Sequence, residues 1–456
     1  LIRALIISYV YLINMPKFIN RSRGFGCKPN ITHISPFAEL MFGPYTDGPL
    51  RSRLRFELIK RDMMEMGQNQ KVVNPKIDSH FRFAVASAIR AFTLPQPVAP
   101  YHLNDVFFLP LECRKSSPGI PWRGMYRNRG EVMDDPSARN SIRLFWHRIK
   151  AGGPAKLADS CVLYRAHLES EDLSPKIRAV YGYPTTVTLA EAQFALPLIE
   201  SYRKTETPIA YGYDMLLGGA MKIRRKMLPY KHYGCFDFSK FDKTVSAQLI
   251  QVAFDILFAN IDFMRYRDRG VPDCLRLVKV WDTLVDYFIN TNLRLSNGDR
   301  YEKNAGVPSG SYFTQLIDSI VNYIVLTYAW LRTYGRVPEF IKVFGDDSVI
   351  GSDHDIHKYR IAEAVESLGM ELNPSKSIVT DNIDEVEFLG FSISGGFPQR
   401  SLRKWLQAFY NPEFDDVEFS DFQSRALGLF YACHGLNPVF SAMCRKVINN
   451  RPFTVR

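Results

Sequence analysis

Residues 340–352 read FIKVFGDDSVIGS, two apolar runs divided by Gly345, Asp346 and Asp347. β-Branched and aromatic residues on either side of a short acidic break predict a β-hairpin with two carboxylates at its tip. On composition alone, Gly-Asp-Asp occurs in about one chain in ten of this length, so the isolated triplet reads as an Asp-rich turn. The flanking strands change that reading. They hold adjacent carboxylates on a rigid hairpin where like charges repel, and a bound cation is one natural solution.

A second acidic strand end lies upstream. Residues 232–238 (HYGCFDF) predict a buried strand reaching Asp237, and Asp242 follows after Phe238-Ser239-Lys240-Phe241. Carboxylates at the ends of two separate strands can converge on one point. Asp237, Asp346 and Asp347 suit Mg²⁺, which takes a few carboxylates and completes its shell with water and substrate phosphates. Two such ions roughly 3.5–4 Å apart activate an attacking hydroxyl and stabilise a leaving phosphate oxygen. The plain alternatives are a strand-end cap for Asp237 and the N-cap of the following helix for Asp242.

Around these acids, strands and helices interleave. Apolar spacing predicts helices over 244–260, 275–289, 312–331 and 356–368. Residues 293–303 (LRLSNGDRYEK) predict a hairpin, with Asn297-Gly298 supplying two positive-φ positions. Residues 176–184 (KIRAVYGYP) suit a strand on which Lys176 and Arg178 project the same way, and 386–394 (VEFLGFSIS) suit a strand pair. The run 116–122 (SSPGIPW) is loop chemistry, and 94–100 (LPQPVAP) is the best candidate connector between an N-terminal extension and the main body. The architecture expected is α+β.

Composition sets the partners. The 456 residues carry 58 Lys+Arg against 47 Asp+Glu, a net charge of +11, at an ordinary globular apolar content of 46%. The excess is uneven. Residues 1–100 hold 14 basic and 6 acidic groups and 101–230 hold 19 and 13, whereas 231–400 hold 18 and 23. A basic first half suits a polyanion, and the acidic stretch suits cations. The seven cysteines form no CxxC pair, which argues against a disulfide framework or thiolate zinc and fits a reducing cytosol. The opening LIRALIISYVYLIN is too short to span a bilayer, and no membrane anchor is expected. His354 and His357 lack further ligands nearby and read as surface residues. The run Lys222-Ile223-Arg224-Arg225-Lys226 reads as a solvated face, with RNA contact as the alternative.

The wording of these segments resembles viral RNA-dependent RNA polymerases. FDFSKFD is similar to their motif A, VPSGSYFTQLIDSIVN to motif B and FGDDS to motif C. In the same order, SPGIP resembles motif G, KIR with AVYG motif F, NPSKS motif D and EFLGFSI motif E. Together they run from Ser117 to Ser394 and are similar to the partitivirus and wider picobirna-like double-stranded RNA viruses. One motif is weak; seven in one order are not.

The resemblance implies a right-hand fold with an RRM-like antiparallel palm sheet. Its divisions would be an N-terminal extension bridging fingers and thumb (1–100), fingers (101–230), palm (231–400, with a fingers insertion at 262–305) and thumb (401–456). It implies RNA-templated RNA synthesis with two Mg²⁺ ions, Mn²⁺ substituting, held by Asp237, Asp346 and Asp347. Lys376 would protonate pyrophosphate, Lys176 and Arg178 would face the triphosphate, and Asp242 would accept from the ribose 2′-hydroxyl. Ser309, Gly310 and Thr314 would line the nucleotide. Relatives carry an asparagine four residues after that threonine; here the position is Asp318, with Asn322 a turn later, and both are candidates. Ser117, Pro118, Gly119 and Pro121 would guide the template. Implied partners are template and product RNA, ribonucleoside triphosphates and a viral capsid protein, in the host cytoplasm and associated with the virion. Two other readings stand: a non-catalytic RNA-binding relic of an integrated polymerase gene, and a reverse transcriptase. Intact acids oppose the first. Gly345 before the acids, and no bulky aromatic at Asp242, oppose the second. No GxxxxGK[ST] loop is present.

Overall fold

The computed structural model describes residues 15–26, 34–46, 48–154, 156–169 and 174–454; the opening apolar segment and Cys27 lie outside them. At its centre is a four-stranded sheet in the order Ile378–Thr380, His232–Phe236, Asp347–Ser352, Phe340–Phe344, antiparallel throughout. The expected hairpin is present, with Phe344 paired to Asp347 at its end. That register leaves Gly345 and Asp346 as the two turn residues. Gly345 supplies the positive φ (66°) that lets so short a turn close.

The helix Thr314–Tyr334 crosses this sheet and is buried along nearly its whole length. Helices Ser79–Phe92, Ala247–Phe258 and Lys358–Glu366 pack on it, in one apolar core shared with both sheets. Residues 94–100 are therefore not a hinge between separately packed bodies. Leu94 is buried, its N–H donates to Asn260 Oδ1 (2.7 Å), and Val98 N–H donates to the Asn260 carbonyl (2.8 Å).

A second sheet runs Lys17–Arg21, Asp299–Glu302, Asn292–Arg294, Ser160–Ala166, Ile177–Gly182. Its hairpin at 292–302 forms as expected, but by a different turn. Only Gly298 has positive φ (95°); Asn297 does not, and its side chain donates to Asp299 instead (2.7 Å). Gly298 N–H donates to Leu295 O and Leu295 N–H to Asp299 O, a turn followed by a left-handed glycine.

The last three helices, Leu402–Tyr410, Phe419–Cys433 and Pro438–Ile448, enclose a separate apolar cluster of Trp405, Phe409, Phe422 and Phe440. The N-terminal helix Pro36–Phe42 inserts Phe37 into it. Arg51 ties this cluster to the second sheet, donating to the carbonyls of Ala166 and Asn411 (2.8 Å each), with Arg165 and Glu413 paired beside it (2.8 Å). Among the described residues, no helix is long and apolar enough to cross a membrane.

Candidate active site

The hairpin turn is braced from the long helix beneath it. Gly345 N–H donates to Ser319 Oγ (2.9 Å), and Asn322 Nδ2 donates to the carbonyls of Gly345 (2.9 Å) and Asp347 (3.2 Å). Four residues apart would be one face; Ser319 and Asn322, three apart, also share one. Asn322 is fully buried by this work. Its amide nitrogen is thus committed to the acidic turn.

Asp237 arrives from the adjacent strand. Its N–H donates to Ser377 Oγ (3.1 Å), and its carbonyl accepts from Asn373 N–H (2.8 Å), so the NPSKS segment is stitched beside it. The electrostatics record the convergence. Burial raises the Asp237 carboxyl, Lys376 opposes this, Asp346 adds to it, and Lys176 and Arg178 oppose it. Asp347 is pushed up to about 7 by burial, then by Asp346 and Asp237. Its surface reaches solvent on one side. Carboxylates that disfavour their own charge, beside Lys176, Arg178 and Lys376, make a place where a cation and a polyphosphate complete each other. Among the described residues no three acid, His or Cys side chains close into a preassembled cage. An open set of this kind fits Mg²⁺, which retains water and substrate oxygens.

Asp242 lies deeper, raised by burial and lowered by Lys243 and Arg178. It caps no helix: Ser246 does that for Ala247–Phe258, accepting from Leu249 N–H (3.2 Å). Its carbonyl accepts from Val307 N–H (2.7 Å), which docks the strand-end acids against the loop before the long helix. In that loop Ser309 is exposed, and Gly310 is squeezed so that a Cβ would sit 1.6 Å from the Tyr181 carbonyl oxygen. No other residue fits there. The half-buried Thr314 donates its hydroxyl to the Pro308 carbonyl (2.6 Å), which shapes the loop. Asp318 is buried, and burial first, then Asp242 and Asp346, raise its carboxyl well above the ordinary range.

Residues 117–121 sit on the start of helix Thr185–Lys204. Thr185 donates to the Pro118 carbonyl from both N–H (2.9 Å) and hydroxyl (2.8 Å), and Arg123 Nη1 donates to Ser117 Oγ (3.2 Å). Pro118 and Gly119 are buried in this seat, which corrects the expectation that all four candidates face a template; Pro121 alone is exposed, and Ser117 half-buried.

Three supporting groups went unread in the sequence. Glu191, wholly buried, accepts from Ser311 Oγ (2.7 Å) and Tyr312 N–H (3.0 Å). Burial pushes it up to about 7 against those bonds and Arg129. The signal was a carboxylate inside the otherwise apolar and small run TVTLAEAQFAL. Asp62 accepts from Lys243 Nζ on one oxygen and from Ala179 N–H on the other (2.7 Å), joining the Asp242 segment to the Lys176–Arg178 strand. No local pattern marks it. Lys303, fully buried, donates to the carbonyls of Phe288 (2.5 Å), Ile289 (2.9 Å) and Gly306 (3.1 Å), closing helix Cys274–Ile289 onto the Ser309 loop.

Known proteins share this fold and are similar in sequence. The chain superposes on a Sicinivirus 3Dpol RNA-dependent RNA polymerase with a TM-score of 0.72, covering 94% of each chain at 17% identity, which establishes the fold expected from the motifs. It is 27% identical over 333 residues to the RNA-directed RNA polymerase of Atkinsonella hypoxylon virus, covering 63% of this chain and 49% of that one. It is 30% identical over 349 residues to that of Cryptosporidium parvum virus 1, covering 70% of this chain and 62% of the relative. The chain thus spans about half to three fifths of the length of these relatives. The profile of the viral RNA-dependent RNA polymerases matches residues 99–424, which contain the acidic turn, both strand ends and the Ser309 loop. With family profile, relatives and fold in agreement over the residues that build the site, the chain belongs to the viral RNA-dependent RNA polymerase family.

Proposed function

We propose that this chain synthesises RNA on an RNA template: the 3′-hydroxyl of the growing strand attacks the α-phosphate of a ribonucleoside triphosphate, and pyrophosphate leaves. The observation that carries this reading is the convergence of strand-end acids: Asp346 acts on both Asp237 and Asp347, whose carboxyls burial has already raised, with Lys376, Lys176 and Arg178 close enough to Asp237 to oppose that rise. Asp237, Asp346 and Asp347 would hold Mg²⁺ or Mn²⁺, which when bound neutralises phosphate charge and lowers the pKa of the attacking hydroxyl. Lys176 and Arg178 hold the triphosphate, Lys376 donates a proton to the departing pyrophosphate, and Ser309 with Gly310 lets the backbone approach the nucleotide. Asp242 accepts from the 2′-hydroxyl. The fingers, palm and thumb divisions at 101–230, 231–400 and 401–456, and the bridging segment before them, are our assignment on the same basis. A capsid protein partner, the host cytoplasm and the virion follow from the resemblance alone. The relic and reverse-transcriptase readings lose support because the acids converge and Asp242 leaves the ribose side open.

The test is incorporation of labelled ribonucleotides on a short RNA hairpin with Mg²⁺ or Mn²⁺; no incorporation with either ion sinks the proposal. Two finer outcomes are expected. Replacing Asp242 by Ala removes a charged acceptor worth roughly 1.5–3 kcal/mol, so the ATP-to-dATP ratio of kcat/KM falls about 10- to 100-fold. An unchanged ratio refutes that role. Asp347 is raised to about 7 in the metal-free protein. Metal binding requires its ionised form, so below that pH a proton must be displaced, and Mg²⁺ affinity drops by up to about tenfold per unit. Calorimetric titration at pH 8 and pH 6 checks this, and equal affinities at both contradict it.

A further inference from the structure

Beside the strand Phe340–Phe344 that leads to the acidic turn, where Tyr211 meets Phe344 ring to ring (5.4 Å), the end of helix Thr185–Lys204, the loop 205–213 and helix Gly219–Met227 enclose an open recess of about 410 Å³. Arg203, Lys204, Lys222, Arg225 and Lys226 line it, against Glu206 alone. That acid is already engaged: it accepts from Lys342 Nζ (2.6 Å) and the Tyr213 hydroxyl (2.8 Å), and lies 4.0 Å from Lys226. Lys204 is paired with Glu200 (2.8 Å). Among the described residues, Arg203, Lys222 and Arg225 have no carboxylate in ion-pair range.

Two of these cations are set in place rather than loose. The Arg203 guanidinium lies 5.8 Å from the Tyr211 ring. Lys222 lies 5.6 Å from the Tyr213 ring and donates to the Gly212 carbonyl (3.1 Å). A run such as 222–226 on its own reads as a solvated face, and Arg224 is indeed spent on Asp384 (2.5 Å). Three separate segments converging on one recess with uncompensated positive charge is a different observation. Like charges held together cost stability unless an anion is bound.

We propose that this recess binds the phosphodiester backbone of RNA at a second position, outside the active site. The recess is open, and it adjoins another of about 360 Å³ that shares Lys204, where Arg265 and Arg267 are already paired with Asp262 (2.8 Å) and Glu200 (2.5 Å), so the uncompensated charge belongs to the first recess. An extended polyanion suits two adjoining recesses better than a single compact triphosphate. Recruitment of RNA here rests on the polymerase reading for its purpose, not for its chemistry.

The experiment compares the full chain with an Arg203→Ala/Lys222→Ala/Arg225→Ala variant, all three residues being exposed. A control variant removes three other exposed cations, Lys76, Lys231 and Arg451. Anisotropy of a labelled 30-nucleotide single-stranded RNA is measured across a salt series. With about 0.7 counterions released per phosphate contact, the recess variant should lose about 2 from the log–log salt slope and bind at least about tenfold more weakly. The control should do neither, and incorporation on a short hairpin should stay at the wild-type rate. Wild-type slope and affinity in the recess variant, or an equal loss in the control, overturns the proposal. So does loss of ATP or pyrophosphate binding with RNA binding intact, which would make the site one for free phosphates. If the wild type incorporates nothing yet the recess variant still binds RNA more weakly, the polymerase reading fails and the recess stands.

Discussion

Replacing Asp346 by Ala should abolish nucleotide incorporation, by roughly a thousandfold or more, while RNA affinity stays within about twofold. The side chain is exposed at the tip of a two-residue turn, so its loss leaves no cavity. The turn itself is fastened through backbone groups, Gly345 N–H to Ser319 and the Gly345 and Asp347 carbonyls to Asn322, and none of these bonds involves the Asp346 carboxylate. Folding is therefore expected to be unchanged. What disappears is a carboxylate between Asp237 and Asp347, and with it several kcal/mol of charge stabilisation at about 1.36 kcal/mol per factor of ten. Single-turnover incorporation and RNA anisotropy measured on the same preparation check the two halves. Residual activity above about a tenth of wild type would remove Asp346 from the chemistry.

The second large effect belongs to Glu191. Glu191→Leu leaves the half-buried Ser311 hydroxyl and Tyr312 N–H without this acceptor, at roughly 1–3 kcal/mol for each, partly offset because the buried carboxylate is itself costly. We expect a net loss of about 2 kcal/mol in stability. Because Gly310 and Ser309 precede these residues directly, kcat/KM should fall about tenfold or more through misplacement of the nucleotide loop. Glu191→Gln keeps an acceptor and should retain most activity. The pH dependence separates charge from shape. The folded-state value is raised to about 7, so the native protein binds the extra proton and loses stability as pH rises from the ordinary carboxylate range to about 7. The Gln variant lacks this loss and should be more stable than wild type at pH 8 relative to pH 5. Thermal melts at both pH values decide it, and a Leu variant with wild-type melting and kinetics would sink the argument.

What could be read from the chain follows a physical division. Strands and helices whose apolar spacing was regular, such as 340–344, 347–352 and 274–289, formed where the pattern put them, because burying one face requires that spacing. Asp237, Asp346 and Asp347 converge because they lie at the ends of neighbouring strands of one sheet. Thr314, Asn322, Pro118 and Gly119 read differently in three dimensions. Each carries a polar group or turn geometry suited to a ligand, yet the nearest backbone claims it first, and only the fold says which backbone is nearest. Asp62 and Lys303 work across large sequence separations, joining segments that no local window contains together.

The long helix Thr314–Tyr334 begins at the nucleotide loop and, within two turns, grips the acidic hairpin through Ser319 and Asn322. On the proposed reading, the loop that seats the incoming nucleotide and the turn that carries the acids would share this one stiff helix. A substitution that loosens Ser319 or Asn322 is then expected to change incorporation rate and nucleotide discrimination together, not one without the other.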